Sequence, residues 1–236
     1  MHITAEIEQV VPTEGDFRVL VQDEGNPTRA TISYQAPMVI VATGTNPERL
    51  NIPGEREFQM RGLCYSAITY AQLFIDRTAI VVGDGPLALR STLELALIAQ
   101  RVRLVAATAA GLATPLGQRL RAMDNVDIIT EVEPQQVQGD TYARRLLVLA
   151  QGKLETLKAD GFFVEQGLIP QAGCVAGLVE KEPEGWIKVD SYNRTTIPGI
   201  FAAGDVTNVH TEQLLIAIGE GAKAALAAHD YWLTQS

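Results

Sequence analysis

Short runs of alternating apolar and polar residues open the chain: "ITAEIEQVV", "FRVLVQ" and "ATISYQ", separated by "PTEGD" and "DEGNP". A period of two gives each run one core-facing side, and the Gly, Pro and Asp residues between them supply turns. The pattern therefore predicts an antiparallel meander. "MVIVATG" follows as a continuous apolar run ending at Gly44, the pattern of a strand buried on both faces. The polar, Pro- and Gly-containing "TNPERLNIPGE" then reads as a crossing between two lobes.

The pattern next changes to that of a βαβ unit. "TAIVV", Thr78 to Val82, ends in "GDGP" and precedes "LALRSTLELALIAQ", a helix former placed just after Pro86. A proline at a first helical position loses nothing, because its missing N–H would be unpaired there. "VRLVAA" supplies the next strand, so the unit implies a parallel sheet with a right-handed crossover. "VDIIT", "RRLLVLA" and "LETLKA" are further strand-like runs, and "DGFFVEQGLIP" is a strand leading to a second crossing. "GIFAAGDV" and the helical "EQLLIAIGEGAKAALAAHDYWL" complete the chain, the small residues of that helix permitting close approach to another element. The fold class is α/β, with a block at 58–165 inserted between 1–57 and 166–236.

Composition narrows the function. A net charge of -9 over 236 residues opposes binding to nucleic acid or to an anionic membrane, both of which need a positive surface field. Small molecules or proteins are the expected partners. Neither a membrane-spanning apolar run nor a signal-peptide start is visible, and Cys64 and Cys174 are too few and too far apart for a disulfide framework, so the cytoplasm is the expected compartment. The histidines, His2, His210 and His229, show no metal-ligand spacing, and no metal site is expected.

Gly83, Gly85 and Ala88 in "VVGDGPLALR" match the dinucleotide fingerprint between a strand and a helix. The first glycine permits the tight turn, the second lets the backbone approach a pyrophosphate, and the small third residue allows close helix packing. The helix N-terminus adds N–H groups and partial positive charge. A residue reading the ribose or a 2'-phosphate should follow the second strand, where "AATAAGLATP" carries no charge. In "TTIPGIFAAGDV" the last strand ends at Gly204 and Asp205, which places a glycine backbone and a carboxylate where open sheets bind ligands. A turn-capping role is the competing reading of Asp205.

These segments, with "VIVATGTNPERLNIPGE", "WIKVDSYNRTTIPGIFAAGDV" and "EQLLIAIGEGAKAA", resemble in order and spacing the pyridine nucleotide-disulfide oxidoreductases, above all the low-molecular-weight thioredoxin reductases. The resemblance implies a two-lobe, three-layer, Rossmann-like flavoprotein that passes hydride from NADPH to FAD and then electrons to a dithiol pair. It puts Gly204 and Asp205 beside the ribityl and pyrophosphate portion of FAD, Gln213 and Ala217 at the isoalloxazine ring, and Thr43 and Gly44 near the adenine side. Gly83, Gly85 and Ala88 would hold the nicotinamide nucleotide.

The chain also departs from that pattern. It starts within the meander, after the βαβ unit with which the family grips FAD, so the FAD lobe is expected to be incomplete and FAD binding to require that unit. In "RGLCYSAITY", aligned on Arg61, Gly62 and Tyr65, the thiol positions carry Ser66 and Thr69, and no catalytic residue is assigned. Hydroxyls cannot cycle between dithiol and disulfide. Cys64 lies two residues early and reads as a small core residue. Ala106, Ala107 and Thr108 stand where the family has basic residues for a 2'-phosphate, which removes the support for NADPH.

The expected function is FAD-dependent electron transfer without the dithiol relay, by a homodimer acting with a small redox protein. The alternative is a non-catalytic relative that binds a nucleotide or a partner through its open sheet edge.

Overall fold

The computed structural model describes residues 5–22, 31–209 and 211–235. The readings of His2, His210 and the "DEGNP" turn fall outside these residues.

The meander forms as the alternation predicts. β1 (Glu6–Pro12), β2 (Phe17–Gln22) and β3 (Thr31–Ala36) make an antiparallel sheet in that order, with Val10, Phe17 and Val21 as its buried positions. β4 (Val39–Val41) is shorter than its apolar run suggests. It is also not buried on both faces: Val41 is buried, whereas Ile40, on the opposite face, is 42% exposed. β5 (Thr45–Pro47) then carries the chain away.

The next stretch contains β6 (Leu63–Cys64), α1 (Ala67–Tyr70), β7 (Thr78–Val82), α2 (Pro86–Ala96), β8 (Arg101–Ala106), α3 (Pro115–Arg121) and β9 (Val126–Thr130). An antiparallel sheet follows, of β10 (Val132–Gly139), β11 (Ala143–Ala150) and β12 (Lys153–Lys158). β13 (Gly161–Val164) returns into the parallel sheet, whose order is β6-β13-β7-β8-β9. β14 (Leu168–Pro170) pairs with β5, after which come β15 (Ile200–Ala202) and α4 (Leu214–Leu233).

The chain divides into two compact units, 1–46 with 169–236, and 47–168. The sequence pattern places the first crossing at 57/58, but residues 47–57 pack with the second unit. Buried Glu55 accepts the Leu50 N–H at 2.9 Å, the Asn51 N–H at 2.7 Å and the Tyr65 hydroxyl at 2.9 Å. The Val137 N–H donates to the Pro53 carbonyl at 2.9 Å, and a Cβ at Gly54 would sit 2.0 Å from the Val137 oxygen.

The 47–168 unit is a three-layer, Rossmann-type α/β body. Successive residues of β7 feed opposite layers, as strand geometry requires. Ala79 and Val81 pack with the α1 and α2 side, against Leu89, Leu95 and Phe163. Ile80 and Val82 pack with the antiparallel sheet, against Val137, Leu146 and Val148. Each large side chain so enclosed contributes about 1.5–3 kcal/mol.

In the other unit β15 pairs in parallel with β4, and α4 lays its small residues Ala224, Ala227 and Ala228 over Phe201 and Ala203. The Phe201 and Tyr231 rings meet edge to face at 6.2 Å. Leu214, Leu215, Ile218 and Leu226 of α4 are exposed. Among the described residues, no helix is long and apolar enough to cross a membrane.

Candidate functional site

Ligands of an open parallel sheet meet it at the carboxyl ends of its strands, where strand order reverses. In the 47–168 unit that switch lies between β13 and β7, and the fingerprint residues stand on it. Gly83 follows β7 with φ +152°, and its N–H donates to the Val105 carbonyl at 3.0 Å. A Cβ there would come 2.3 Å from the Glu165 carbonyl and 2.9 Å from the Ala88 Cβ. Glycine at 83 and alanine at 88 are thus required by the packing of turn, strand and helix. Gly85 differs: a Cβ at that position would meet no atom within 4 Å. It is the N-cap of α2, and no side chain caps that helix, so its first N–H groups remain available beside open space.

The turn's own carboxylate is engaged. Thr108 donates its hydroxyl to Asp84 at 2.8 Å, and Gly111 lies so close to the Asp84 carbonyl that a Cβ would approach it to 2.5 Å. The loop after β8 therefore folds onto the glycine turn.

Two strands from β7, beyond β13, "RGLCYSAITY" forms β6 and α1. Ser66 is the N-cap of α1, Thr69 lies one turn on, and their hydroxyl oxygens are 2.9 Å apart. Ser66 makes no side-chain cap. The Ala67 N–H is instead taken by Glu165 at 2.8 Å, and the same carboxylate oxygen accepts the Ser91 hydroxyl at 3.0 Å. Glu165 is buried and follows the all-apolar β13 directly. Sequence reasoning missed it; an acidic residue ending "GFFV" was the available signal. Cys64 is half-buried, and burial pushes its thiol above the usual cysteine value, which keeps it protonated and a poor nucleophile.

In the 1–46/169–236 unit, the second group of predicted residues collects at the carboxyl ends of β4 and β15. The Ala203 N–H donates to the Val41 carbonyl at 2.9 Å, bringing the two ends together. Beyond β4, the Thr43 hydroxyl donates to the Gln171 carbonyl at 2.6 Å, and the Gln171 N–H donates to the Gly44 carbonyl at 2.9 Å. Beyond β15, Gly204 turns with φ +72°, and a Cβ there would touch the Ala217 side chain at 3.4 Å. The buried Thr207 hydroxyl closes that turn on the Gly204 carbonyl at 2.8 Å. Gln213 is the exposed N-cap of α4, its carbonyl accepting the Ala217 N–H at 2.9 Å. Half-buried Asp205 has no side-chain partner among the described residues.

A buried link holds α4 to β15. Asn193 donates from one amide nitrogen to the Ala202 carbonyl at 2.8 Å and to Glu220, which also takes Lys223 at 2.9 Å.

This pairing of a glycine turn at a sheet switch point with a second Gly-Asp strand end is matched along the sequence. The family model described as pyridine nucleotide-disulphide oxidoreductase matches residues 1–221. The chain belongs to that family. Among curated relatives in it, the F subunit of alkyl hydroperoxide reductase in Pseudomonas putida is 37% identical over 208 residues, covering 86% of this chain and 40% of the relative. Its counterpart in Staphylococcus aureus strain MRSA252 is 36% identical, covering 84% and 39%. The chain thus spans about two-fifths of the length of these family members. Among solved structures, thioredoxin reductase from Streptococcus pyogenes MGAS5005 superposes with a TM-score of 0.81 at 30% identity, covering 98% of this chain and 74% of that one. Thioredoxin reductase from Giardia duodenalis gives 0.80 at 25% identity, covering 98% and 75%.

Proposed function

We propose that this family member is a flavin-dependent oxidoreductase that transfers electrons without a dithiol relay. Ser66 and Thr69 carry this reading. They supply a hydrogen-bonded hydroxyl pair, at 2.9 Å, at the positions where the resemblance puts the thiols. A hydroxyl pair has no disulfide state, so electrons cannot be stored there.

The residues present fit a dinucleotide at the glycine turn and part of an FAD site, which the family's FAD-gripping βαβ unit would complete. The open space above Gly85 and the uncapped start of α2 suit a dinucleotide pyrophosphate, with Gly83 and Ala88 shaping the turn beneath it. For FAD, the positive-φ turn at Gly204 would let the backbone approach the ribityl and pyrophosphate portion, and the Asp205 carboxylate, which has no side-chain partner among the described residues, would accept hydrogen bonds there. Gln213 and Ala217 would border the ring, and Thr43 and Gly44 the adenine side. When bound, the nicotinamide supplies a hydride and the flavin takes it up as a two-electron carrier. The chain's residues contribute binding, orientation and a fixed turn geometry. The exposed Leu214, Leu215 and Ile218 support association with a second copy, which sedimentation would measure.

The deciding experiment purifies the full-length protein and measures its visible flavin absorbance. It then follows bleaching by reduced nicotinamide nucleotide without oxygen, and turnover with ferricyanide and with a thioredoxin disulfide. Bleaching and ferricyanide turnover with an inert disulfide are expected. A folded, colourless protein that ignores added FAD would establish the non-catalytic alternative, and catalytic reduction of the disulfide would overturn the absence of a relay.

A further inference from the structure

β8 ends at Ala106 and β9 at Thr130, and these two residues are paired in register. The residues that follow, Ala107 and Glu131, therefore leave neighbouring strands side by side at the carboxyl edge of the sheet. Strands lie about 4.8 Å apart, within the reach of a glutamate side chain. In a Rossmann-type unit the residue just past the second strand reads the adenosine ribose: an acid takes its hydroxyls, an arginine takes a 2'-phosphate. Ala107 can do neither.

An open cleft of about 380 Å³ lies at this place, lined by Ala107, Glu131, Glu133, Leu149 and Gln151 among others. Both glutamates are exposed, and neither carboxylate has a hydrogen bond or ion pair among the described residues. Among the described residues the lining holds two carboxylates and no cation; Lys153, one residue beyond Gly152, is outside it. Asp84, the other nearby acid, is occupied by Thr108.

We infer that Glu131, supported by Glu133, reads the adenosine ribose from the neighbouring strand, accepting hydrogen bonds from its hydroxyls and excluding a 2'-phosphate, so that the chain takes NADH rather than NADPH. The inference rests on the reading that the 47–168 unit binds a nicotinamide nucleotide. A 2'-phosphate would add about two negative charges beside two existing ones, with no cation among the described lining residues to offset them. The missing acid after β8 is replaced by one after β9, which a search of the β8 end alone does not find.

The test is direct binding to the purified full-length protein, by calorimetry with NADH and NADPH separately, so that no turnover is needed. NADH is expected to bind at least about tenfold more tightly than NADPH. The E131Q/E133Q variant should weaken NADH and bring the ratio towards unity. Should that variant fold poorly by circular dichroism, A107R is the second probe: a cation on the exposed end of β8 should raise NADPH affinity about tenfold. Equal or tighter NADPH binding by the natural protein overturns the inference and leaves the nucleotide reading standing. A preference for NADH that neither variant alters overturns the role of Glu131. Failure of both nucleotides to bind overturns the nucleotide reading and the inference with it.

Discussion

Glu165 accepts the Ser91 hydroxyl at 3.0 Å with the carboxylate oxygen that also takes the Ala67 N–H. One buried acid at the end of β13 thereby ties α2 to the start of α1, the short helix that carries Thr69. Its cost of burial is offset by these donors, as burial of a polar group requires.

Removing the partners separately should give unequal losses. Ser91→Ala removes one donor to a buried carboxyl oxygen and is expected to cost about 1–3 kcal/mol. Glu165→Ala strands the Ala67 N–H and the Ser91 hydroxyl together and opens a cavity, so about 3–5 kcal/mol is expected. Urea unfolding of both variants measures this. Equal small effects would mean that the network contributes little.

The two fingerprint glycines should separate structure from binding. Gly83→Ala forces a Cβ to within 2.3 Å of the Glu165 carbonyl and is expected to cost about 2–4 kcal/mol. Gly85→Ala meets open space, so its thermal midpoint should barely move while nucleotide affinity falls about tenfold, because the methyl group occupies the approach of the pyrophosphate. Thermal unfolding beside calorimetry reads both. A Gly85→Ala variant with undiminished affinity would place the nucleotide elsewhere.

Ser66 and Thr69 already stand in a geometry close to what a short bridge needs. With the oxygens 2.9 Å apart, the S66C/T69C double variant should close a disulfide when treated with oxidised glutathione, and thiol counting before and after reduction would register it. If the rest of the electron path is intact, the same variant should gain reduction of a disulfide substrate by reduced nicotinamide nucleotide. A bridge that refuses to form would show that more than the sulfur atoms has changed in this segment.

Much of the α/β plan is legible in the sequence because its signals are local. The meander is written in period-two alternation, β7 and β13 in unbroken apolar runs, and the Gly83 turn in residue types that few other geometries require. What escapes is long-range. Nothing adjacent to Glu165 announces that it will meet Ser91, 74 residues away in sequence. Nothing near Glu131 announces that β9 will lie beside β8. The exposure of Ile40 is also invisible to pattern, since a continuous apolar run says that both faces could be buried and not that both are.

Tyr65 offers a test through pH. Burial, followed by its hydrogen bond to Glu55 and the charge of that carboxylate, pushes the phenol up to about 12, while Arg49 and Arg56 pull the other way. An unfolded chain loses this proton near pH 10, so the unfolded state releases it first. The stabilisation is therefore complete below about pH 10 and is lost as pH rises from there through the folded value of about 12. At about pH 8, Tyr65→Phe should be less stable by about 1.5–3 kcal/mol, because Glu55, which is 1% exposed, loses one of its three hydrogen-bond donors. Above about pH 10 the natural protein should lose stability faster than the variant, and the gap between them should narrow. Urea midpoints measured across that range check the sign. A gap that stays constant would mean that the Tyr65 phenol ionises alike in the folded and unfolded chains.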